Sequence, residues 1–154
     1  MLTIRRFQKG DEEILSIMIR RTLREVNYTS PKSELDYLIP HYSPETMVEL
    51  SETGHTYVLE EDGQIIGSGT VLPDGETEAE IVAAFLSPES IGKGYGRKPF
   101  ETLDADELAA KATRVWLTSS DMALGFYEHM GWVNPNGPRA RAGEDNLLYM
   151  EKRK

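Results

Sequence analysis

The sequence predicts an α+β fold, in which strands occupy the middle of the chain and one helix connects two neighbouring strands. Three observations support this prediction. A strand–turn–strand pattern covers residues 56–72, and a nearly continuous apolar run follows at residues 81–86. A helical pattern at 95–112 then separates this run from another strand pattern at 114–118. Strand, helix and strand in this order are typical of a helical crossover between neighbouring strands.

The first third of the chain predicts one strand and three helices. Residues 2–7 alternate between apolar and polar side chains, as a half-buried strand does. Residues 11–26 carry apolar side chains at helical spacing, which predicts an amphipathic helix. Two shorter helices are predicted at residues 33–39 and 44–50.

The middle of the chain predicts three strands joined by tight turns. Residues 56–60 and 64–72 flank the dipeptide Asp62-Gly63, which strongly favours a two-residue hairpin. A second turn is predicted at Pro73-Asp74-Gly75. Residues 80–87 follow, and their apolar run predicts a strand that is buried on both faces.

The C-terminal part predicts one more helix and a closing strand. The helix covers residues 121–130, with Ser119 or Ser120 as its N-cap and Gly131 at its C-terminal end. The closing strand covers residues 146–151.

Length and composition indicate a single domain over residues 1–154. The chain contains no cysteine, which excludes disulfides, thiolate metal sites and a cysteine acyl-enzyme. No apolar run approaches the ~20 residues needed to cross a bilayer, and the N-terminus lacks a signal-peptide pattern. We therefore expect a cytoplasmic protein that has no membrane partner.

The charge of the chain argues against nucleic acid as a partner. Its 17 basic and 26 acidic residues give a formal net charge of −9. Such a surface repels phosphate backbones. The histidines His41, His55 and His129 show no metal-ligand spacing, so we expect no metal cofactor.

The most informative segment is the glycine-rich stretch at residues 91–98, between the apolar run and the long helix. Glycines let the backbone approach a ligand closely, and free N–H groups at a helix start favour an anion. Lys93, Arg97 and Lys98 concentrate positive charge there in an otherwise acidic chain. These features together predict a phosphate-bearing ligand.

The spacing of the glycines excludes two common phosphate loops. A Walker A loop that starts at Gly92 needs a second glycine where Arg97 stands. The dinucleotide fingerprint fails at Arg97 or at Pro99, depending on which glycine begins it.

The segment instead resembles the coenzyme A pyrophosphate loop of the GNAT superfamily of N-acetyltransferases, Gln/Arg-x-x-Gly-x-Gly/Ala. Residues 91–96 read Ile-Gly-Lys-Gly-Tyr-Gly, so Ile91 departs from the pattern at its first position. Residues 119–132 resemble the second motif, a serine-started helix that ends in Phe-Tyr-x-x-x-Gly-Phe, with Trp132 in the last position. The resemblance extends over most of the chain.

This resemblance implies the GNAT acyl-CoA N-acyltransferase fold, an α/β three-layer sandwich. Its mixed, mostly antiparallel central sheet has helices on both faces and a V-shaped opening between two central strands. The resemblance also implies that acetyl-coenzyme A (acetyl-CoA) donates an acetyl group to a primary amine by direct attack. The acceptor, a small molecule or a peptide, is not identified, and superfamily members are commonly homodimers.

The resemblance implies roles for four residues. Tyr127 is the candidate acid for the departing thiolate, and Glu80, at the start of the central strand, is the candidate base. A backbone N–H near Phe85 or Leu86 is the candidate oxyanion donor. The implied coenzyme A contacts are Phe85, Leu86, Ser87, Ile91, Gly92, Lys93, Gly94, Tyr95, Gly96, Arg97, Phe126 and Tyr127.

Several alternatives stay open. The chain could bind coenzyme A without catalysis, as a regulatory module, or it could be a nucleotide-phosphate enzyme with another fold. Residues that could face the acceptor are His41, Tyr42, Asn27 and Tyr28. His129 is expected to be exposed, and Trp116 is interpreted as a core residue.

Overall fold

The computed structural model describes residues 1–26, 32–119, 123–135, 137, 141–142 and 147–153. The strands are β1 (Leu2–Arg6), β2 (His55–Glu61), β3 (Gln64–Asp74), β4 (Glu78–Leu86), β5 (Arg114–Ser119), β6 (Arg141–Ala142) and β7 (Leu147–Arg153). The helices are α1 (Glu12–Glu25), α2 (Lys32–His41), α3 (Pro44–Thr53), α4 (Arg97–Ala105), α5 (Glu107–Lys111) and α6 (Leu124–His129). A short 3₁₀ helix covers Pro88–Ser90.

The strands in the described part of the chain form one sheet in the order β1-β2-β3-β4-β5-β7-β6. Neighbouring strands are antiparallel except β4 and β5, which are parallel. Helices α4 and α5 connect these two strands, so the predicted helical crossover is confirmed. The α+β class and the mixed, mostly antiparallel sheet are confirmed as well.

Strands β4 and β5 separate soon after they pair. β4 pairs with β5 over residues 78–80 but continues to Leu86. Ala83 has a φ of 55°, and the β3–β4 register shifts opposite it, between Ser68 and Thr70. A bulge of this kind bends the strand that carries it. The two central strands therefore diverge and leave the predicted V-shaped opening.

Helices cover both faces of the sheet. On one face α1 and α3 contribute the buried side chains of Leu15, Met18, Ile19, Leu23 and Met47, while α2 buries none of its side chains completely. On the other face the crossover helices and α6 contribute Phe100, Leu103, Ala109, Leu124 and Tyr127. In the described ranges, no helix combines the length and the apolar character that a membrane span requires.

The sequence predicted one continuous helix at 95–112, and this was wrong, because the structure has two helices, α4 and α5, that are separated at Asp106. The backbone of Asp106 is extended (φ −59°, ψ 145°), and its carboxylate accepts a hydrogen bond from the Leu108 amide at 3.0 Å. His55 Nδ1 lies 2.9 Å from the same carboxylate, and the Tyr57 hydroxyl donates to it at 2.6 Å. These partners stabilise Asp106 as the cap of α5, which ends α4.

Strand β4 packs on both faces of the sheet, as predicted: Ile81 belongs to the core on the side of α4–α6, and Ala83 to the core on the side of α1 and α3. Ile81 and Ala83 are buried, whereas Val82 and Ala84, which alternate with them, are half-buried. Val82 packs against the core on the side of α1 and α3 and Ala84 against the core on the other side, and both also line the cleft, so each stays partly exposed.

Some predicted features lie outside the described residues. The helix predicted at 121–130 is described from Leu124 onward, and Ser120 is outside the described part. Ser119 is the last residue of β5, and the residue that directly precedes α6 is Ala123, whose side chain cannot cap an amide. Asn27 and Tyr28, two of the acceptor candidates, also lie outside the described residues.

Candidate functional site

The opening between β4 and β5 leads into a cleft with a volume of about 1270 Å³. Helices α1 and α2, the end of β4, the glycine-rich loop, α4 and α6 form its walls. Of the predicted coenzyme A contacts, all but Ser87 and Lys93 line this cleft. The structure thus brings together two motifs that are separated by one helix pair and one strand in the sequence.

Ser87 and Lys93 are directed elsewhere. Ser87 donates its backbone N–H to the Ile66 carbonyl oxygen at 2.7 Å, and its hydroxyl lies 2.8 Å from that of Ser90. Both polar groups of Ser87 are therefore engaged within the protein. Lys93 is exposed in the turn between Gly92 and Gly94 and does not line the cleft.

Among the described residues, the backbone amides of the glycine-rich loop, residues 91–96, follow a series of turns but make no well-formed hydrogen bond to a carbonyl. Hydrogen bonds flank it, from the Ser90 amide to Ser87 and from the Phe100 amide to Gly96. Between them, no carbonyl in the described part of the chain accepts a bond from the amides of 91–96.

The loop can hold its open path because of its glycines. Gly92 and Gly94 have φ values of 82° and 80°, which side chains other than glycine adopt only with strain. An added Cβ at either position would meet no atom within 4 Å, so the backbone and not packing demands glycine. The loop ends at the N-terminus of α4, whose dipole favours a negative charge. Free amides at a helix start are suited to a phosphate group.

The end of β4 presents a peptide group towards the opening. The Ser87 N–H donates to β3, and in an antiparallel ladder the N–H and C=O of successive residues point alternately to the two sides of a strand. The N–H and C=O of Phe85 therefore point to β3, and those of Leu86 point away from it. The Leu86 carbonyl oxygen accepts a hydrogen bond from the buried Thr22 hydroxyl on α1 at 2.8 Å. Of the two predicted oxyanion donors, the geometry favours the Leu86 N–H.

Tyr127 lies on the opposite wall of the cleft. Its buried ring packs against Phe100 at 5.1 Å and Trp132 at 6.5 Å between ring centroids. Burial, with a smaller contribution from Tyr42, raises the pKa of Tyr127 above its usual value. Its hydroxyl makes no hydrogen bond to the residues that the structure describes. The cleft is therefore lined by a phenol that stays protonated at neutral pH.

Glu80 stands at the edge of the site. It is half-buried on β4 and precedes Ile81, which lines the cleft, but Glu80 itself does not line it. Burial, and then the nearby Asp74 carboxylate, raise the pKa of Glu80. A carboxylate whose pKa is raised is a better proton acceptor than an ordinary glutamate.

Tyr42 is the residue whose importance the sequence showed least clearly. Its side chain lines the cleft, and its ring contacts Phe85 edge-on at 5.5 Å between centroids. Burial raises the pKa of Tyr42 to about 12. A backbone hydrogen bond with Ala83 lowers this pKa, and the negative charge of Glu80 adds a smaller increase. Tyr42 thus interacts with Glu80 and, through its effect on the pKa of Tyr127, with the opposite wall.

Of the other aromatic side chains, Trp116 differs from its interpretation. Trp116 is half-exposed rather than a core residue, and its Nε1 donates a hydrogen bond to Asp74 at 2.8 Å. The reason is that, in the described part of the chain, α1 and α3 pack mainly on β2, β3 and β4 and not on β5, which carries Trp116. His129 is exposed as expected, but it also lines the cleft. His41 stacks on Tyr37 and does not line it.

Comparison with known proteins agrees with this geometry. A family model described as an acetyltransferase (GNAT) domain matches residues 52–134, more than half of the chain. The match includes β4, the glycine-rich loop, the crossover helices and α6. No protein of curated function matches the sequence.

Solved structures share the fold at low identity. A PaiA N-acetyltransferase from Thermoplasma acidophilum, in complex with coenzyme A, superposes with a TM-score of 0.80 at 18% identity, covering 100% of this chain and 99% of that one. A GNAT-family acetyltransferase from Staphylococcus aureus Mu50 gives 0.73 at 15% identity, with 99% of both chains covered. The ribosomal-protein-S18-alanine N-acetyltransferase of Escherichia coli gives 0.69 at 19% identity, covering 98% of this chain and 92% of that one.

Proposed function

Because the chain belongs to the GNAT acetyltransferase family, we propose that it transfers the acetyl group of acetyl-CoA to a primary amine by direct attack. The observation that carries the proposal is the row of amides in residues 91–96 that have no carbonyl partner in the described part of the chain, in a loop that lines the same cleft as the end of β4. The names of two similar structures, both N-acetyltransferases, support nitrogen as the acceptor atom.

The residues fit coenzyme A as the group that the cleft holds. The amides of residues 91–96 and the N-terminus of α4 would bind the pyrophosphate, since they supply donors and a positive dipole end together. The end of β4, with Phe85 and Leu86, would line the pantetheine arm. Acetyl-CoA supplies an activated thioester there, and the chain supplies the groups that handle protons and charge.

Proton removal and charge stabilisation are assigned to opposite ends of β4. Glu80 takes a proton from the acceptor ammonium through water, since it lies beside the cleft rather than in its lining. The amine nitrogen then forms a bond to the thioester carbonyl carbon. The Leu86 N–H stabilises the negative charge that develops on the carbonyl oxygen.

Tyr127 completes the reaction on the far wall. When the tetrahedral intermediate collapses, the carbon–sulfur bond breaks and its electron pair stays on sulfur. Tyr127 donates its proton to this thiolate and regains one from solvent, while the nitrogen releases its second proton. The products are an N-acetylated amine, free coenzyme A and one proton. The raised pKa of Tyr127 keeps the phenol protonated before the sulfur leaves.

Release of free thiol from acetyl-CoA, measured over a panel of primary amines and peptides, tests the proposal. Thiol release that depends on an amine, together with a mass increase of that amine by one acetyl group, is the expected result. Tight binding of coenzyme A with no release on any amine would favour the non-catalytic module. Preferential binding of ATP would instead support a nucleotide-phosphate enzyme.

A further inference from the structure

A side-chain hydrogen bond links the glycine-rich loop to a hairpin that is distant in sequence. The Tyr95 hydroxyl donates to Glu61 Oε2 at 2.6 Å. Tyr95 stands between Gly94 and Gly96 and lines the cleft, while Glu61 is the last residue of β2. The bond therefore joins the middle of the loop to the central sheet.

The link matters because few hydrogen bonds restrain the loop in the described part of the chain. Its backbone amides have no backbone partner in the described part of the chain, and glycine loses more conformational freedom on ordering than other residues. Among the described residues, the bond from Tyr95 to Glu61 is the only hydrogen bond that joins a side chain of residues 91–96 to the rest of the protein. A loop that is ordered before binding loses less entropy when a ligand arrives.

The other end of the link is held firmly. Glu61 pairs with Leu2 on β1 and with Gln64 on β3, so strands flank it on both sides. The next residue, Asp62, forms an ion pair with the N-terminal amine of Met1 at 2.6 Å. The carboxylate of Glu61 also raises the pKa of Tyr95, which keeps the phenol in its donor form.

We infer that Tyr95 and Glu61 are positioning residues that hold the glycine-rich loop in the conformation that receives the pyrophosphate. The inference rests on the proposed function, because it presumes that coenzyme A binds to this loop. Tyr95 would keep the backbone amides beside it in place, and Glu61 would keep Tyr95 in place.

A comparison of two donors tests the inference. Coenzyme A carries the pyrophosphate, whereas S-acetylpantetheine has the same thioester arm without it. In Tyr95→Phe we expect the Kd of coenzyme A, measured by calorimetry, to rise ~5-fold, which corresponds to the usual net contribution of one hydrogen bond. The KM for acetyl-CoA should rise equally, while kcat/KM for S-acetylpantetheine stays at the parent value.

Tyr57→Phe is the matched control. It removes a tyrosine–carboxylate bond of the same length, 2.6 Å, to Asp106, and Tyr57 does not line the cleft. We expect it to lower the thermal midpoint without changing the Kd of coenzyme A. A Tyr95→Phe protein with an unchanged Kd, or with equal losses for both donors, would overturn the inference. A parent protein that does not bind coenzyme A would instead contradict the proposed function.

Changes at Glu61 provide a second, independent readout. Glu61→Gln keeps an oxygen that can accept the bond from Tyr95 and should bind coenzyme A at least as tightly as the parent. Glu61→Ala should weaken binding ~5-fold, as Tyr95→Phe does. The double variant Tyr95→Phe with Glu61→Ala should be no worse than either single one. Losses that simply add would show that the two residues act separately, against the inference.

Discussion

The Thr22 hydroxyl on α1 donates a hydrogen bond to the carbonyl oxygen of Leu86, the last residue of β4, at 2.8 Å. This bond crosses from a helix on one face of the sheet to the end of the strand that borders the cleft. It satisfies a carbonyl that has no strand partner on that side in the described part of the chain. It therefore fixes the Leu86–Ser87 peptide plane and, through it, restrains Leu86, whose own N–H is the proposed oxyanion donor.

We expect Thr22→Val, which preserves side-chain shape, to lower kcat ~5-fold and the free energy of unfolding by about 1–2 kcal/mol. The loss arises because the Leu86 carbonyl remains without its partner and the peptide plane gains freedom. Thr70→Val is the control, since it removes an equally buried hydroxyl contact, to Thr56 at 2.7 Å, away from the cleft. Steady-state kinetics and denaturant unfolding of both variants should separate the two effects. Equal kinetic losses in both would show that Thr22 acts through stability alone.

Tyr127→Phe should lower kcat ~10-fold or more, with little change in the Kd of coenzyme A. The reason is that the phenol acts on the leaving sulfur and not on the bound ground state. The ring contacts with Phe100 and Trp132 are kept, so the thermal midpoint should stay close to that of the parent. Single-turnover thiol release is the direct measurement. An unchanged rate would remove Tyr127 from the mechanism.

Glu80→Gln should lower kcat/KM ~100-fold, since the amide cannot accept the proton of the amine. In the parent, kcat/KM should fall as the pH drops through the pKa of Glu80, and this midpoint should lie above the usual value of 4.5. The variant should lose this limb of the pH profile. A profile that is identical in parent and variant would assign the base elsewhere.

Glu80→Gln should lower activity but should not lower stability at pH 7. Because the folded state raises the pKa of Glu80, ionisation at neutral pH opposes folding, and acidification through the folded pKa relieves this penalty. Glu80→Gln should therefore unfold at the same temperature as the parent or higher at pH 7. Differential scanning calorimetry at pH 7 and at pH 4.5 measures this difference. A clear loss of stability at pH 7 would show that the carboxylate makes favourable contacts that outweigh its burial.

Gly94→Leu should weaken coenzyme A binding ~10-fold or more, because its side chain would strain the backbone at a φ of 80° and keep the amides from the pyrophosphate. Gly75→Leu is the control. Gly75 also has a positive φ, 66°, and open space around its Cβ position, but it lies in the β3–β4 turn. Both variants should show similar losses of stability. Intact binding by Gly94→Leu would mean that the loop is not the pyrophosphate site.

Local sequence signals predicted most of the individual elements. The turn Asp62-Gly63 is a case: both residues adopt positive φ, 52° and 85°, as a two-residue hairpin turn requires. The glycine spacing at 91–96 likewise predicted a loop with free amides before a helix. In both cases the signal comes from backbone preferences within a few residues, so the rest of the fold need not be known.

Features that depend on distant contacts were predicted less well. The long helix breaks at Asp106 because His55 and Tyr57, about fifty positions earlier in the chain, bind its carboxylate. Trp116 was assigned to the core from its type, yet the helices α1 and α3 pack mainly on β2, β3 and β4, and Trp116 on β5 stays half-exposed. Tyr42 remained an open candidate, because only the packing of its ring on Phe85 brings it to the cleft.

The sequence by itself determined the order of strands and helices, the glycine-rich loop and the family resemblance, since these reside in short patterns of residue type. The tertiary structure alone decided which groups face one another: the Leu86 peptide towards the opening, Tyr127 on the far wall, and Tyr95 bound to Glu61. The physical reason is that a hydrogen bond between residues 34 positions apart depends on the register of the sheet and on the bend of β4. Neither the register nor the bend is encoded near the residues that make the bond.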